Sequence, residues 1–167
     1  MKAIVCQRYG PPEVLQCREV PKPHPRDHEV LIRIRATTVT SADCRVRGLD
    51  MPRGFELLAR LALGFSGPRQ PILGTEFAGD VEAVGARVRR FKPGDAVFAL
   101  GGAGMGGYAE YRCMPEGGCL AIRPGNLAVD EAAALSFGGT TALDFFRRAQ
   151  LRQGEKILIN GASGGVG

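Results

Sequence analysis

Three stretches near the start of the chain alternate apolar with polar residues: 2–7 (KAIVCQ), 14–20 (VLQCREV) and 29–39 (EVLIRIRATTV). In the third, Val30, Ile32 and Ile34 share one face while Arg33 and Arg35 take the other, the period of two that a half-buried strand requires. Each stretch predicts one wall of a barrel or sandwich. Prolines at 21, 23 and 25 separate the second from the third. Proline fixes φ and has no N–H to give to a ladder, so that segment is a loop. The alternation lapses after residue 40. SADCRVRG (41–48) predicts a short helical turn with Ser41 as its cap and Gly48 at its end. RGFELLARLALG (53–64) sets Phe55, Leu58, Leu61 and Ala62 at helical spacing between two glycines. It predicts an amphipathic helix that covers the barrel mouth or, alternatively, closes as a lid over an apolar substrate.

Strand character returns in ILGTEFAGDVEAVG (72–85) and RFKPGDAVFAL (90–100), where Pro93 and Gly94 suit the central positions of a type II turn. A glycine cluster, GGAGMGG (101–107), precedes YAEYRCM (108–114) and CLAIRP (119–124). Many short strands at such spacing predict a small barrel. Near residue 126 the pattern changes. An Ala-rich run with Asp130 as its N-cap predicts one helix, and a second is expected from about Thr140 to Gln150. After Gly154, KILIN reads as a strand apolar on both faces, as a central parallel strand covered by helices would be. The chain therefore divides into 1–125, mainly β, and 126–167, of α/β character.

Composition narrows the function classes. A 167-residue chain with 44% hydrophobic residues is long enough for one core. Its longest apolar stretches are interrupted by Arg60 and Asp144 and fall short of the roughly 20 residues a bilayer span needs, so no membrane span is expected. The opening MKAIVCQ lacks the regions of a secretory leader. Five cysteines form no CxxC pair and do not make a disulfide framework, so reduced thiols in a cytoplasmic protein are expected. The net charge of +5 is spread over arginines scattered among apolar residues, a solvated surface. With no Trp and three Tyr there is no basic stripe with stacking aromatics, and nucleic acid is not an expected partner.

The candidate chemistry sits at the end. GASGGVG (161–167) follows the apolar run and places glycines at 161, 164 and 167, with Ala162 where the usual GxGxxG dinucleotide fingerprint has its first glycine. Such a turn brings backbone N–H groups to a pyrophosphate, and a helix normally follows it. No helix and no ribose-reading acidic or basic residue about 20 positions further on lie within these residues, so the chain is expected to be a fragment.

The segments EVLIRIRATTVTSADCRVRG, ILGTEFAGDVEAVG, FKPGDAVFA, GGTTAL and GEKILINGASGGVG occur in register across nearly the whole chain. Together they resemble the medium-chain dehydrogenase/reductase family, in its zinc-independent, quinone oxidoreductase-like branch. The resemblance implies a GroES-like N-terminal barrel over 1–125, then linking helices and the first strand and glycine turn of an incomplete Rossmann domain over 126–167. It implies an NAD(P)H-binding oxidoreductase, with NADP(H) expected over NAD(H), and a homodimer in the full-length protein. Zinc-dependent alcohol dehydrogenases of this family carry a cysteine ligand where this chain has Thr40, and a histidine in GHE where it has Thr75 in GTE. Threonine hydroxyls bind zinc poorly, and the four-cysteine structural lobe is replaced by GGAGMGGYAEYRC. His24 and His28 lie in the proline loop and read as surface residues, so no metal is expected.

Loss of the metal constrains the substrate. Hydride addition to a simple ketone develops an alkoxide, whose conjugate acid is about as weak as bulk water, whereas a quinone gives a phenolate-like oxygen near ~10. That difference is about 7 to 8 kcal/mol that the site need not supply. A quinone or conjugated carbonyl is the expected acceptor. Within the resemblance, Thr40 is a hydrogen-bond donor to cofactor or substrate, or else a hydroxyl that caps the next turn. Asp43 and Thr75 join it as candidate catalytic residues, although Asp43 could serve only to order its turn. Thr141 matches a contact to the nicotinamide end; Gly161, Ala162, Ser163, Gly164, Gly165, Val166 and Gly167 form the expected phosphate turn. Glu76 is expected in a structural salt bridge, and Cys44 is either a reactive thiol or a small buried hydrophobe. Two rival readings stay open: a non-catalytic GroES-like binding module, and a zinc alcohol dehydrogenase with atypical ligands.

Overall fold

A computed structural model describes residues 1–167. Each alternating stretch forms a strand: β1 Lys2–Cys6, β2 Leu15–Glu19, β3 Glu29–Thr37, β4 Glu76–Val84, β5 Ala96–Leu100, β6 Tyr111–Pro115 and β7 Leu120–Ile122. All pairings are antiparallel. The barrel is built from a five-stranded sheet in the order β6-β3-β4-β5-β7 and a β1-β2 ribbon. Isolated bridges from Ala3 to Ala109 and from Val5 to Ile72 tie the ribbon to the rest. The register of β3 against β4 shifts between Leu31 and Ile32 and again between Ile34 and Ala36, irregularities that bend the sheet around its core. Val30, Ile32, Phe77 and Val97 are fully buried at the centre of that core, while Arg33 and Arg35 stay exposed, as the alternation predicts. Between β4 and β5 the Pro93–Gly94 turn forms as expected: Gly94 has φ +91° and Asp95 N–H donates to Lys92 O at 3.2 Å.

The glycine cluster 101–107 is held by Arg112 of β6. Its Nη1 donates to Gly104 O at 2.8 Å, and the guanidinium lies 5.9 Å from the Phe77 ring centroid. A Cβ on Gly106 would come within 2.0 Å of Arg112 Nη1, so the loop closes this tightly only because it is glycine. Burial pushes the Arg112 guanidinium below its usual range.

Three helices complete the fold: α1 Ser41–Gly48, α2 Glu56–Leu63 and α3 Val129–Arg148. The N-cap of α1 is Thr40 rather than Ser41, because Thr40 and Asp43 form a reciprocal capping box that Ser41 could not make at that spacing. The helix expected to cover the barrel mouth does not do so. α2 has no buried residue and turns Leu57, Leu58 and Leu61 outward. The two helices expected after residue 126 are one. α3 runs unbroken through Gly138 and Gly139, with Ala128 at its N-cap position and Asp130 inside the first turn. Glu131, three residues on, accepts the Ala128 N–H at 2.8 Å and does the work expected of Asp130. Ala132 and Ala133 bury that end of the helix against Ala78 of β4.

Residues 156–160, expected as a buried strand, pair with no other strand, and Leu158 is 95% exposed. An extended segment becomes a strand only beside a neighbour that shares its hydrogen bonds, and none of β1–β7 lies alongside. No helix is long and apolar enough to cross a membrane.

Candidate functional site

Where β3 ends, Thr37 donates its hydroxyl to Glu76 O at 2.8 Å and Thr38 donates to Glu76 Oε2 at 2.9 Å. The chain then turns into α1. Thr40 N–H and Oγ1 both donate to Asp43 Oδ2, at 2.9 and 2.7 Å, and Oγ1 accepts Asp43 N–H at 3.2 Å. The Thr40 hydroxyl proton is thus committed inside the chain, leaving one lone pair to face outward. Of its two readings, the capping one is realised. Asp43 is 3% exposed, and its Oδ1 has no hydrogen-bond partner. The buried Tyr108 hydroxyl is likewise unpaired, and burial together with the Asp43 carboxylate pushes its phenol well above the ordinary range. Thr75 sits at the entry to β4. Its carbonyl accepts Gly101 N–H at 2.6 Å, while its hydroxyl finds no partner in the chain.

Glu76 carries no salt bridge, contrary to expectation. Its buried carboxylate accepts from Thr38 on one oxygen and, at 2.6 Å, from the Phe137 N–H of α3 on the other. Two neutral donors replace the cation, and they fasten α3 to the strand end.

Thr38, Thr40, Thr75 and Glu76 line one cleft of about 630 Å³, whereas Asp43 and Tyr108 stay behind its wall. One wall is the 38–42 turn with Thr75 and Glu76; the other is Phe137 and Gly138 of α3 with Gly165 and Val166 of the glycine turn. Gly138 makes the closeness possible, since a Cβ there would sit 2.2 Å from Gly165 O. Gly161 takes φ +76°, Gly164 N–H donates to Gly161 O and Gly167 N–H to Gly164 O, while the N–H groups of Ala162, Ser163, Gly165 and Val166 have no acceptor in the chain. A turn with free amides and no side-chain bulk at Gly164 and Gly165 fits a pyrophosphate. Ala162 and Ser163 lie outside the cleft. A second cavity of about 550 Å³ lies between the same turn, 157–160 and the α3 segment near Phe145 and Phe146.

Thr141 is not brought to either cavity, although it is only one turn from Gly138. Its neighbour Thr140 donates its hydroxyl back to Ser136 O within the helix. Cys44, half-buried, lies 4.0 Å from Arg47 Nη1 and is not part of the cleft wall. His24 and His28 are exposed, and no three His, Cys, Asp or Glu side chains come together as a metal site. The donors present do not suit zinc: Thr40 and Thr75 offer only neutral hydroxyls, both Glu76 oxygens are bonded, and no thiolate or imidazole faces the cleft. Thr38 and the Phe137 N–H are the participants that sequence reasoning missed. Only the threonine run at 37, 38 and 40 hinted at the first.

Residues 26–124 match the alcohol dehydrogenase GroES-like domain. Over 170 residues the chain is 36% identical to the quinone oxidoreductase of Lama guanicoe, covering 100% of this chain and 47% of that protein. A crystal structure of a Pseudomonas syringae quinone oxidoreductase superimposes with a TM-score of 0.78 at 32% identity, over 99% of this chain and 46% of that one. An Escherichia coli quinone oxidoreductase solved as a complex with NADPH gives a TM-score of 0.72 at 27% identity, over 89% of this chain and 41% of that one. This chain spans about half the length of the curated relatives it matches. By its GroES-like domain and its conformity to these structures, the chain belongs to the medium-chain dehydrogenase/reductase family, on its quinone oxidoreductase-like side.

Proposed function

We propose that the whole polypeptide, of which these residues correspond to about half the length of its relatives, reduces a quinone or conjugated carbonyl at the expense of NADPH and without zinc. Residues 1–125 are then its catalytic barrel and 126–167 the start of its nucleotide domain. The observation that carries this reading is the shared cleft: Thr40 and Thr75, at the positions of the zinc ligands in zinc-dependent relatives, face Gly165 and Val166 across one cavity. The free amides of the glycine turn support a nucleotide there, and the NADPH-bound neighbour supports NADP(H) over NAD(H). Five free cysteines support a reducing, cytoplasmic setting, and a homodimer belongs to the same reading.

A bound nicotinamide would supply the hydride. The chain's own contribution is division of labour between two hydroxyls. Thr75, with a free O–H, donates to the acceptor's carbonyl oxygen as negative charge develops there; Thr40, its proton held by Asp43, can only accept, and so suits a hydroxyl of cofactor or substrate. The phenolate-like oxygen then takes a proton from solvent, and the quinone leaves as hydroquinone. Neutral hydroxyls suffice because a delocalised acceptor lowers the required stabilisation by about 7 to 8 kcal/mol relative to an alkoxide.

The test is steady-state NADPH oxidation by the full-length protein with 1,4-benzoquinone, an enone and a saturated aldehyde, alongside elemental analysis. The quinone and enone should turn over and the aldehyde should not. Thr75→Val should lower kcat on the order of a hundredfold. Stoichiometric zinc with saturated alcohols or aldehydes as the best substrates would overturn the reading.

A further inference from the structure

Helix α2 buries no residue and presents an apolar face to solvent. Leu57, Leu58 and Leu61 are 63%, 59% and 49% exposed, and Phe55 and Phe65 at its two ends are 58% and 59% exposed. The side turned toward the body carries Arg60 between Ala59 and Leu63. Arg60 is half-buried, its guanidinium lies 5.7 Å from the Tyr9 ring centroid, and it donates to Phe65 O. Tyr9 donates its hydroxyl to Gly64 O at 2.8 Å, and Arg69 caps the helix end by donating to Leu61 O at 2.8 Å. The helix is thus held from behind by polar contacts, with its leucines presented to solvent. A surface helix stabilised only by its own fold would turn Leu57, Leu58 and Leu61 inward as well. Apolar area of this extent marks a surface that meets another phase or molecule.

Charge decides which. The apolar face is rimmed by exposed Arg8, Arg53 and Arg69, and Gly67 packs against the backbone of Gln7 and Arg8 to bring the first of these beside the helix. Against them stand Asp50 and Glu56, and the Glu56 carboxylate is turned back to accept Gly54 N–H at 2.9 Å. Leucine and phenylalanine flanked by arginine is the composition of a helix lying in the plane of a membrane interface, apolar side in the acyl boundary and guanidinium groups among phosphates. We propose that α2 docks the protein onto anionic lipid bilayers. The claim stands on the helix alone and does not require the oxidoreductase reading; if that reading holds too, docking would bring the cleft to acceptors dissolved in lipid.

The experiment is co-sedimentation of the full-length protein with vesicles of pure phosphatidylcholine and of phosphatidylcholine mixed with phosphatidylglycerol. Binding is expected to the anionic vesicles, with weakening as salt rises. Leu58→Ser with Leu61→Ser should cut the bound fraction at least about tenfold by removing two inserted side chains, and Arg8→Gln with Arg53→Gln should abolish the preference for anionic lipid. All four positions are exposed, and unchanged thermal melts would establish that the variants fold. Three results would each overturn the proposal: equal sedimentation of wild type and leucine variant, a leucine variant that changes oligomeric state in ultracentrifugation, which makes α2 a contact between copies, or a leucine variant that alters KM for a water-soluble quinone without lipid, which makes it a substrate lid. NADPH oxidation without vesicles reports on the oxidoreductase reading separately.

Discussion

The Thr40 hydroxyl holds two bonds with Asp43 while facing the cleft, so stability and the proposed function meet in one side chain. Thr40→Ala should cost about 1 kcal/mol of stability in urea unfolding, the usual loss of an N-cap, whereas Thr40→Asn, an equally good cap, should cost almost nothing. Replacing Glu76 with Leu strands the Thr38 hydroxyl and the Phe137 N–H at once, and about 1 to 3 kcal/mol should be lost by the same measurement. Cys113 tests the electrostatics. Burial, then the Glu29 carboxylate, pushes its thiol from 9.0 up to about 11. The folded state therefore binds this proton more tightly than the unfolded chain does. The resulting stability is fully present below pH 9.0, and it is lost as pH rises through about 11. Cys113→Ser should remove that part of the alkaline decline in stability curves, and iodoacetamide at neutral pH should label exposed Cys17 and Cys119 long before Cys113. At this scale the sequence was legible where a residue type declared its chemistry, as Thr40 and Thr75 did against the family pattern. It misjudged Glu76, expected in a salt bridge, and was silent on the Phe137 N–H, because the two lie 61 residues apart and only the folded chain brings them together.

Among the elements, strands were the most legible, since alternation and turn residues mark them locally; β1, β3 and β4 begin or end within a few residues of where the pattern puts them. Helix α3 was misjudged for a tertiary reason. Gly138 and Gly139 stand between the two helices expected, yet packing of Ala132 and Ala133 beneath β4 and the Glu76 bond to Phe137 carry the helix through. Gly138→Ala separates the two effects. Helix propensity should raise or preserve the melting temperature, by up to about 1 kcal/mol in stability. The new Cβ, aimed at Gly165 O from 2.2 Å, should displace the glycine turn and raise KM for NADPH several-fold in the full-length protein. A lower melting temperature with unchanged KM would contradict this view of the contact. Residues 156–160 teach the converse: a strand's hydrophobic pattern is legible in isolation, but its pairing is a property of its neighbours.

Over the whole molecule, the passage from the last strand, β7, to the long helix α3 was readable from a change of period near residue 126, whereas the outward apolar face of α2 was not, because a helical wheel reports that two faces exist and not which one looks outward. The cleft spans both parts, so its floor depends on pieces fixed by different means. On the barrel side the fixing piece is Arg112, holding the 101–107 loop whose Gly102 reaches the rim. Zinc-dependent relatives are implied to use a four-cysteine metal lobe at this place. A guanidinium gripping a peptide carbonyl has nothing for a chelator to remove and no sulfur for an electrophile to arylate. Treatment with a strong chelator or with excess benzoquinone should leave the proteolysis rate of that loop unchanged, while Arg112→Ala should accelerate it. On the proposed function, the rim is thereby kept out of reach of the electron-poor, thiol-hungry acceptors the site would handle.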